Sequence, residues 1–577
     1  MRGFSFLARL YWEALIRLRP ERADAHNRLG VLHKEAGRLD AAEAAYREAL
    51  RRNPDHAGAR NNLGVLHKEA GRLDEAEAAY HEALRCDPGF APAHNNLGVL
   101  YKEAGRLDEA EAAYCEALSC NPRQADAHNN LGVIFKESGR LDEAEAAYRE
   151  ALRLRPGHAD AHNNLGVVCK ESERPQEAEA AYHAALRLRP DHANAHNNLG
   201  VLYKETGRLD EAEAAYRAAL RLCPDHVDAL YNLGVLYGDQ EQQAEAESFY
   251  RATLRVRPEH ADAAWNLSLI LLSQGRYEEG WARYETRCNP NVQRPHDIPD
   301  LDPVWQGEDL TGKRIVVWLE QGFGDEIQFA RFAPLLKERG CAQVILLCSP
   351  PLRELLRTLD GVDVVLAKED PLPAYDFWIF VMSLPWRLGM RLDTIPARLP
   401  YLAADPVRLE RWRERLPEGA LRVGLVWKGS ASHRNDAHRS MPGLSTLAPL
   451  WSAPGVVFVS LQKGQGEDEA AHPPPGQALT HLGSEIRDFA DSAALVAQLD
   501  LVICVDTAIA HVAGALGKPC WVLLPKRGTD WRWLHERSDS LWYPATLRLF
   551  RQRDGWEGVV GEAAAALRAW AGSRMRS

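Results

Sequence analysis

ADAHNNLGVIFKESGRLDEAEAAYREALRLRP, residues 125–156, carries the period that decides the fold of half of this 577-residue chain. Apolar residues fall at helical spacing on two segments separated by Gly139, so each segment reads as one amphipathic helix. Working outward, Tyr46, Tyr80, Tyr114, Tyr148, Tyr182, Tyr216, Tyr250 and Tyr284 recur every 34 residues, and Pro20, Pro54, Pro88, Pro122, Pro156, Pro190, Pro224 and Pro258 keep the same interval. A fixed period of this length predicts helix pairs stacked one on the next. Eight units end near Arg287, and Trp12 takes the register of the repeating Tyr in an incomplete unit before them.

Within each unit Asp142 followed by Glu145 reads as an N-cap with its reciprocal Glu, as do Asp40/Glu43, Asp74/Glu77, Asp108/Glu111 and Asp210/Glu213. Gly37, Gly71, Gly105, Gly139, Gly207 and Gly275 supply a permissive turn residue, and Glu173 and Glu241 replace it where the turn is expected to be looser. His94, His128, His162 and His196 are too far apart along the stack to share a metal and read as packing residues. Asn62, Asn96, Asn130, Asn164, Asn198, Asn232 and Asn266 repeat directly before the core position of each first helix. An amide offers both a donor and an acceptor, which suits the backbone of an extended polypeptide lying in a concave groove. The other reading of these residues is that each Asn bridges neighbouring repeats. At the N-terminus Phe4, Phe6, Leu7, Leu10 and Trp12 belong to a helix without its usual partner, which predicts self-association at this end.

Composition bounds the function. A net charge of -11 argues against non-specific binding to nucleic acid. The ten cysteines are scattered with no CxxC pair, as expected of reduced thiols in the cytoplasm. Arg2 and Arg9 interrupt the apolar N-terminus, so neither a signal peptide nor a membrane span is expected.

From Cys288 to Gly312 the period stops and a Pro-rich stretch reads as a linker; its Asp300-Leu301-Asp302 is taken as a chance match to a metal-nucleotide motif. Beyond it, continuous apolar runs at 314–319, 343–347, 363–367 and 377–381, then at 422–427, 456–461, 501–505 and 520–524, predict buried parallel strands in two α/β halves. The resulting division is repeats over 1–287, linker 288–312, a first half 313–410 and a second half 411–577. After the first strand, EQGFGDEIQFARF brings Gly322 and Gly324 to a tight turn with Asp325 opening a helix. In the second half Asp506 and Thr507 follow a strand at a helix N-terminus, where free N–H groups and the helix dipole favour a diphosphate.

The first half of the chain resembles the tetratricopeptide repeat, and its Asn row resembles the ladder of the O-GlcNAc transferases. Residues 303–550 resemble the GT-B glycosyltransferases, most closely the heptosyltransferase-like family in the version found fused to such repeats in bacteria. The motifs that carry this are Gly324-Asp325-Glu326-Ile327, Asp506-Thr507…His511, and Arg439, a basic residue three before a Pro. The resemblance implies an all-α superhelical solenoid followed by two Rossmann-like domains. It implies Asp325 as general base, Arg439 neutralising the donor phosphates, and Gly322, Gly324, Lys428, Asp506, Thr507 and His511 around a nucleotide-sugar. No cofactor or metal is implied. The repeats are then expected to hold a protein or peptide acceptor. The alternatives left open are a glycan or lipid-linked sugar as acceptor, and a scaffold whose transferase half no longer turns over.

Overall fold

The structure is a computed structural model that describes residues 11–12, 14–288, 303–418, 421–433 and 435–575. Phe4, Phe6, Leu7, Leu10 and the Asp300–Asp302 motif lie outside the described residues. The chain divides into two compact units, Met1–Gln242 and Gln243–Ser577.

The first unit is built of helix pairs such as Ala125–Glu137 with Leu141–Leu154. What locks each pair is the repeating Tyr, fully buried against the Gly of its partner helix. A Cβ on Gly132 would stand 2.7 Å from Cε1 of Tyr148, and on Gly166 2.6 Å from Cε1 of Tyr182. The turn glycines take positive φ, and Glu173 (φ 58°) and Glu241 (φ 62°) adopt the same left-handed conformation, so those turns keep the shape of the others. His94, His128 and His162 each place Nε2 3.0 Å from the carbonyl of the Pro six residues earlier, which pins the inter-repeat turn.

The capping prediction is corrected. Each second helix begins one residue before the Asp, at Leu39, Leu73, Leu107, Leu141 or Leu209, with an Arg at the N-cap and no side-chain cap bond. The Asp therefore sits in the first turn, where the helix dipole favours it. The Glu reaches the N-cap Arg of the next unit instead: Glu77 to Arg106 at 3.2 Å, Glu111 to Arg140 at 2.9 Å, Glu179 to Arg208 at 2.9 Å. Arg106 and Arg140 are held in place by lying over the rings of Tyr101 and Phe135, each at 4.1 Å. Half-exposed pairs of this kind add little stability and chiefly set the register between units.

The second unit starts inside the seventh repeat, at Gln243, so the whole of the last repeat lies in it. Glu43, Glu77, Glu111, Glu145, Glu179, Glu213 and Glu247 share one register, and the residue at the next repeat of it is Trp281. Where a further unit would have supplied an Arg, Trp281 is buried edge-on against Trp531 (5.3 Å) and Phe329 (5.9 Å) of the α/β region. Tyr277 and Tyr284, on the same helix Tyr277–Tyr284, join this core.

Two sheets follow, and every strand pairing within them is parallel. The first contains β1 (Arg314–Trp318), β2 (Gln343–Cys348), β3 (Val364–Ala367) and β4 (Phe377–Phe380) in the order β3-β2-β1-β4. The second contains β5 (Leu421–Val426), β6 (Val456–Ser460), β7 (Thr480–His481), β8 (Leu501–Val505), β9 (Cys520–Leu524) and β10 (Leu547–Arg551) in the order β10-β9-β8-β5-β6-β7. The strand order reverses at β1/β4 and at β5/β8, and ligands of such sheets bind outside the strand ends at those points. Part of the expected linker is structured: Trp305 is buried, and its backbone N–H donates to the carbonyl of Trp378 at 2.8 Å. The helix Pro406–Arg413 belongs with the second lobe, because Arg408 grips Asp488 and Asp491 and Trp412 Nε1 donates to Asp491 at 3.2 Å. Among the described residues no helix is long and apolar enough to cross a membrane.

The Tyr–Gly lock is testable. Gly132→Ala forces a methyl group into the Tyr148 ring, and overpacking of this kind costs about 1–3 kcal/mol. Thermal denaturation of the full chain should show a lowered melting temperature, whereas Gly558→Ala, which meets nothing within 4 Å, should leave it unchanged.

Candidate functional site

The loop after β1 is held by the last repeat. Arg287, buried, donates to Glu320 at 2.8 Å and to Ser383 Oγ at 2.8 Å, and Gln321 Nε2 donates to the Tyr284 hydroxyl at 2.7 Å. Gln321 takes φ +68°, which turns the chain into Gly322 and the helix Phe323–Phe329. Asp325 is the third residue of that helix, and its Oδ2 accepts the Gly322 N–H at 2.9 Å. The next residue, Glu326, is fully buried and anchors the helix through Lys368 and Ser349.

Asp325 Oδ1 is taken by Arg532, which comes from the segment after β9 in the second lobe and also grips Asp530 at 2.5 Å. The Arg532 guanidinium is buried over the rings of Trp531 (4.7 Å) and Phe329 (5.3 Å). Burial pushes the Asp325 carboxyl above its ordinary range, with Asp530 adding to that push while Arg532 opposes it. Gly324 serves close packing: a Cβ there would stand 2.8 Å from His511 Cδ2, so glycine lets the helices of the two lobes meet.

In the second lobe Asp506 follows β8, and Thr507, extended at φ -142°, is the N-cap of the helix Ala508–Ala515. Thr507 Oγ1 is buried without a hydrogen-bond partner, beside the unsatisfied N–H groups that open the helix. Asp506 is pushed up to about 6 by burial and by the nearby Asp530 charge. His511 is buried, places Nδ1 3.0 Å from the Tyr543 hydroxyl and stacks on Trp533 at 5.5 Å. Burial together with Arg532 and Arg331 holds it well below its usual value, so it is a neutral packing ring and supplies no charge to a phosphate.

Arg439 ends the short helix Asp436–Arg439 after β5, with its guanidinium laid over Gly429, where a Cβ would come within 2.8 Å. Its Nε makes no hydrogen bond but lies 3.6 Å from Asp436 Oδ1 in an ion pair, and its charge bears on Asp506. Lys428 is different. Its Nζ is tied to Glu469 at 2.9 Å, and Glu469 also accepts the Leu444 N–H at 2.5 Å, so Lys428 fixes the loop and is committed before any donor arrives. Among the described residues no group of three His, Cys, Asp or Glu side chains is placed to hold a metal ion.

Of the residues singled out in the sequence, Asp325 meets Arg532, and Asp506 feels the charges of Asp530 and Arg439; Arg532 and Asp530 themselves were not singled out. The signal available was GTDWRW at residues 528–533, where an Asp and an Arg flank Trp531 in a segment of otherwise irregular chain. Nothing in its spacing announces a partner 207 residues away.

In the first unit the Asn row is already engaged. Asn62, Asn96, Asn130, Asn164, Asn198 and Asn232 each donate through Nδ2 to an Asn of the preceding repeat, at 2.9–3.2 Å. Within a unit the buried Asn163 donates to Asn164 at 3.2 Å, so the amides form a relay running from repeat to repeat. In the second unit Asn266, for which the acceptor position 35 residues earlier is Tyr231 and not an Asn, donates to the Tyr250 hydroxyl at 3.3 Å.

The Asp506 environment has a consequence for stability. A carboxyl raised in the folded state binds protons that the unfolded chain has released, so its ionisation destabilises the fold as pH rises from the ordinary value of 3.8 through about 6. Asp506→Asn should accordingly melt at a higher temperature than the native chain at pH 7.5, with the difference vanishing at pH 4. Equal melting temperatures at both pH values would refute the buried-carboxylate account.

Residues 23–56 match the family described as Tetratricopeptide repeat, and residues 56–266 match the Cilia and flagella-associated protein 70 C-terminal domain. Residues 449–523 match Glycosyltransferase family 9 (heptosyltransferase), a span that includes Asp506, Thr507 and His511 but not Asp325 or Arg439. The chain is 31% identical over 333 residues to Protein FlbA of Caulobacter vibrioides, covering 52% of this chain and 54% of that protein, so it spans about half the length of this curated relative. Solved structures with similar coordinates include the APC/C hetero-tetramer Cut9-Hcn1, at 19% identity and TM-score 0.42 over 47% of this chain and 54% of that one. Another is pilF of Pseudomonas aeruginosa, at 24% identity and TM-score 0.32 over 36% of this chain and 93% of that one. The protein thus carries tetratricopeptide repeats followed by a glycosyltransferase family 9 domain.

Proposed function

We propose that this chain is a GT-B glycosyltransferase that moves a sugar from a nucleotide-diphosphate donor to an acceptor brought by the repeats. The observation that carries the reading is the pairing of two unlike ends. A helix N-terminus with an unpartnered Thr507 hydroxyl and a nearby Arg439 stands in one lobe, and a desolvated carboxylate, Asp325, comes from the other.

Each end suits one half of the reaction. The diphosphate accepts hydrogen bonds from Thr507 Oγ1 and the first N–H groups of the helix Ala508–Ala515, whose dipole favours negative charge. Arg439 balances the charge that grows on the leaving phosphate oxygen as its bond to the sugar breaks. This supply of positive charge requires no metal ion. Asp325 takes the proton from the acceptor hydroxyl as that oxygen bonds to the sugar, and burial raises its basicity above that of an ordinary carboxylate. Gly322 and Gly324 shape the turn and the helix contact that hold Asp325 in place, and the donor group is best drawn without Lys428 or His511.

Two measurements test this reading. Calorimetry with nucleoside diphosphates should show affinity falling in Thr507→Val and Arg439→Ala; unchanged affinity in both folded variants would sink the placement of the diphosphate. Asp325→Asn keeps the acceptor for the Gly322 N–H but cannot take a proton. Donor affinity should persist while turnover falls about 100-fold or more, the usual worth of a positioned base, and near-native turnover would leave Asp325 as a capping residue only.

For the acceptor we infer a protein or peptide held along the repeats. The engaged state of the Asn amides favours a second reading, in which the row stiffens the stack and the acceptor is a glycan or lipid-linked sugar bound by the α/β lobes alone. Replacing Asn164, Asn198 and Asn232 together by Ala separates them. Lost transfer to a protein acceptor with an unchanged melting temperature supports peptide binding. A fall in melting temperature supports stiffening, because each amide bond contributes about 0.5–1.5 kcal/mol.

A further inference from the structure

Three carboxylates and one buried guanidinium share the space where the two lobes meet, and the proposed function uses only part of them. Arg532 is the group on which the others converge. One end of its fork meets Asp325 from the first lobe, the other meets Asp530 of its own segment, and its charge also bears on Asp506. Its side chain is 7% exposed, so this bidentate arrangement operates with little water to screen it.

The guanidinium is seated as well as paired. Phe329, on the helix that carries Asp325, forms one wall, and Trp531 forms the other. Trp531 is itself fixed edge-on by Trp281 at 5.3 Å and by Tyr277 at 6.1 Å, both from the last repeat. A cation gripped between two rings and two carboxylates has few rotamers left to it. Asp325 also accepts the Gly322 N–H on Oδ2.

We propose that Arg532 is the positioning residue of Asp325: by bridging Asp530 and Asp325 across the lobes it aims the carboxylate and keeps it ionised. The proposal rests on the reading of Asp325 as the base. It gives Asp530 a role too, as the anchor that fixes the far end of the fork. It also makes the last repeat part of the reaction apparatus, through Trp281 and Trp531, independently of what the repeats bind.

The charged and titratable groups facing Asp325 are Arg532 and Asp530 from the segment after β9, and His433 from the turn after β5. Tyr284 of the last repeat and Asp506 after β8 face Arg532 in turn. His511, on the helix packed against Gly324, stays neutral. The proposal predicts opposite effects from two changes. Removing the Arg532 charge takes away the group that favours ionised Asp325, and removing the Asp530 charge takes away one that disfavours it.

The test follows Asp325 itself in the full chain. Infrared difference spectra of protein labelled with carboxyl-13C aspartate, native minus Asp325→Asn, give the ionisation midpoint of Asp325 with no substrate present. Arg532→Gln should move that midpoint to higher pH by about one pH unit or more, the usual effect of losing an adjacent opposite charge. Asp530→Asn should move it to lower pH, and Arg532→Lys should return it toward the native value. A midpoint unmoved in Arg532→Gln, or moved the same way in both, overturns the proposal; should Arg532→Gln fail to fold, Asp530→Asn alone decides by the direction of its shift. Turnover of Asp325→Asn is read separately, so a failure of the base assignment is distinguishable from a failure of the Arg532 assignment.

Discussion

Trp281 is the residue whose burial the rest of the second unit is arranged around. A repeat stack ends in an apolar face that the next unit would normally cover. Here the covering is done by Phe329, Trp531 and Trp542, drawn from both α/β lobes, with Tyr277 and Tyr284 filling the sides. The last repeat is thereby part of the core of the α/β region. The loop that follows β1 inherits its position from it, since the buried Arg287 is paired with Glu320 and Tyr284 holds Gln321. A buried ion pair of this kind is weak evidence for net stability but expensive to break from one side, so it fixes geometry more than it adds strength.

The site between the lobes shows why its electrostatics cannot be assigned residue by residue. Asp325 and Asp506 are both displaced upward chiefly by burial, with the Asp530 charge adding to the displacement and Arg532 opposing it. A diphosphate bound there, as proposed, would add its charge to that of the carboxylates already present, so its occupancy and the protonation of the site would each change the free energy of the other.

Much of the fold was legible because it depends on periodicity. The repeats follow from the 34-residue interval of Tyr and Pro, and the eight longer strands follow from continuous apolar runs. The two missed strands lack that signal: β7 has two residues, and β10, Leu547–Arg551, alternates arginine with apolar residues at the sheet edge. The capping assignment failed for a different reason. Asp and Glu three apart imitate a capping box, but the Glu finds a better partner in the Arg of the next unit, 29 residues on, which local spacing does not reveal.

What the sequence determined by itself was each element's type and the position of residues at element ends, because Asp325, Arg439, Asp506 and Thr507 follow strands that local pattern predicts. It also held the break in register at Trp281, where an aromatic replaces a repeating Glu. Tertiary structure alone decided which of those residues are available for chemistry. Lys428 is spent on Glu469, His511 is buried neutral against Tyr543, and Arg532 reaches Asp325 across the two lobes. Pairing and desolvation depend on what a side chain meets through space, and residues two hundred positions apart are brought together only when the sheets, helices and last repeat have packed.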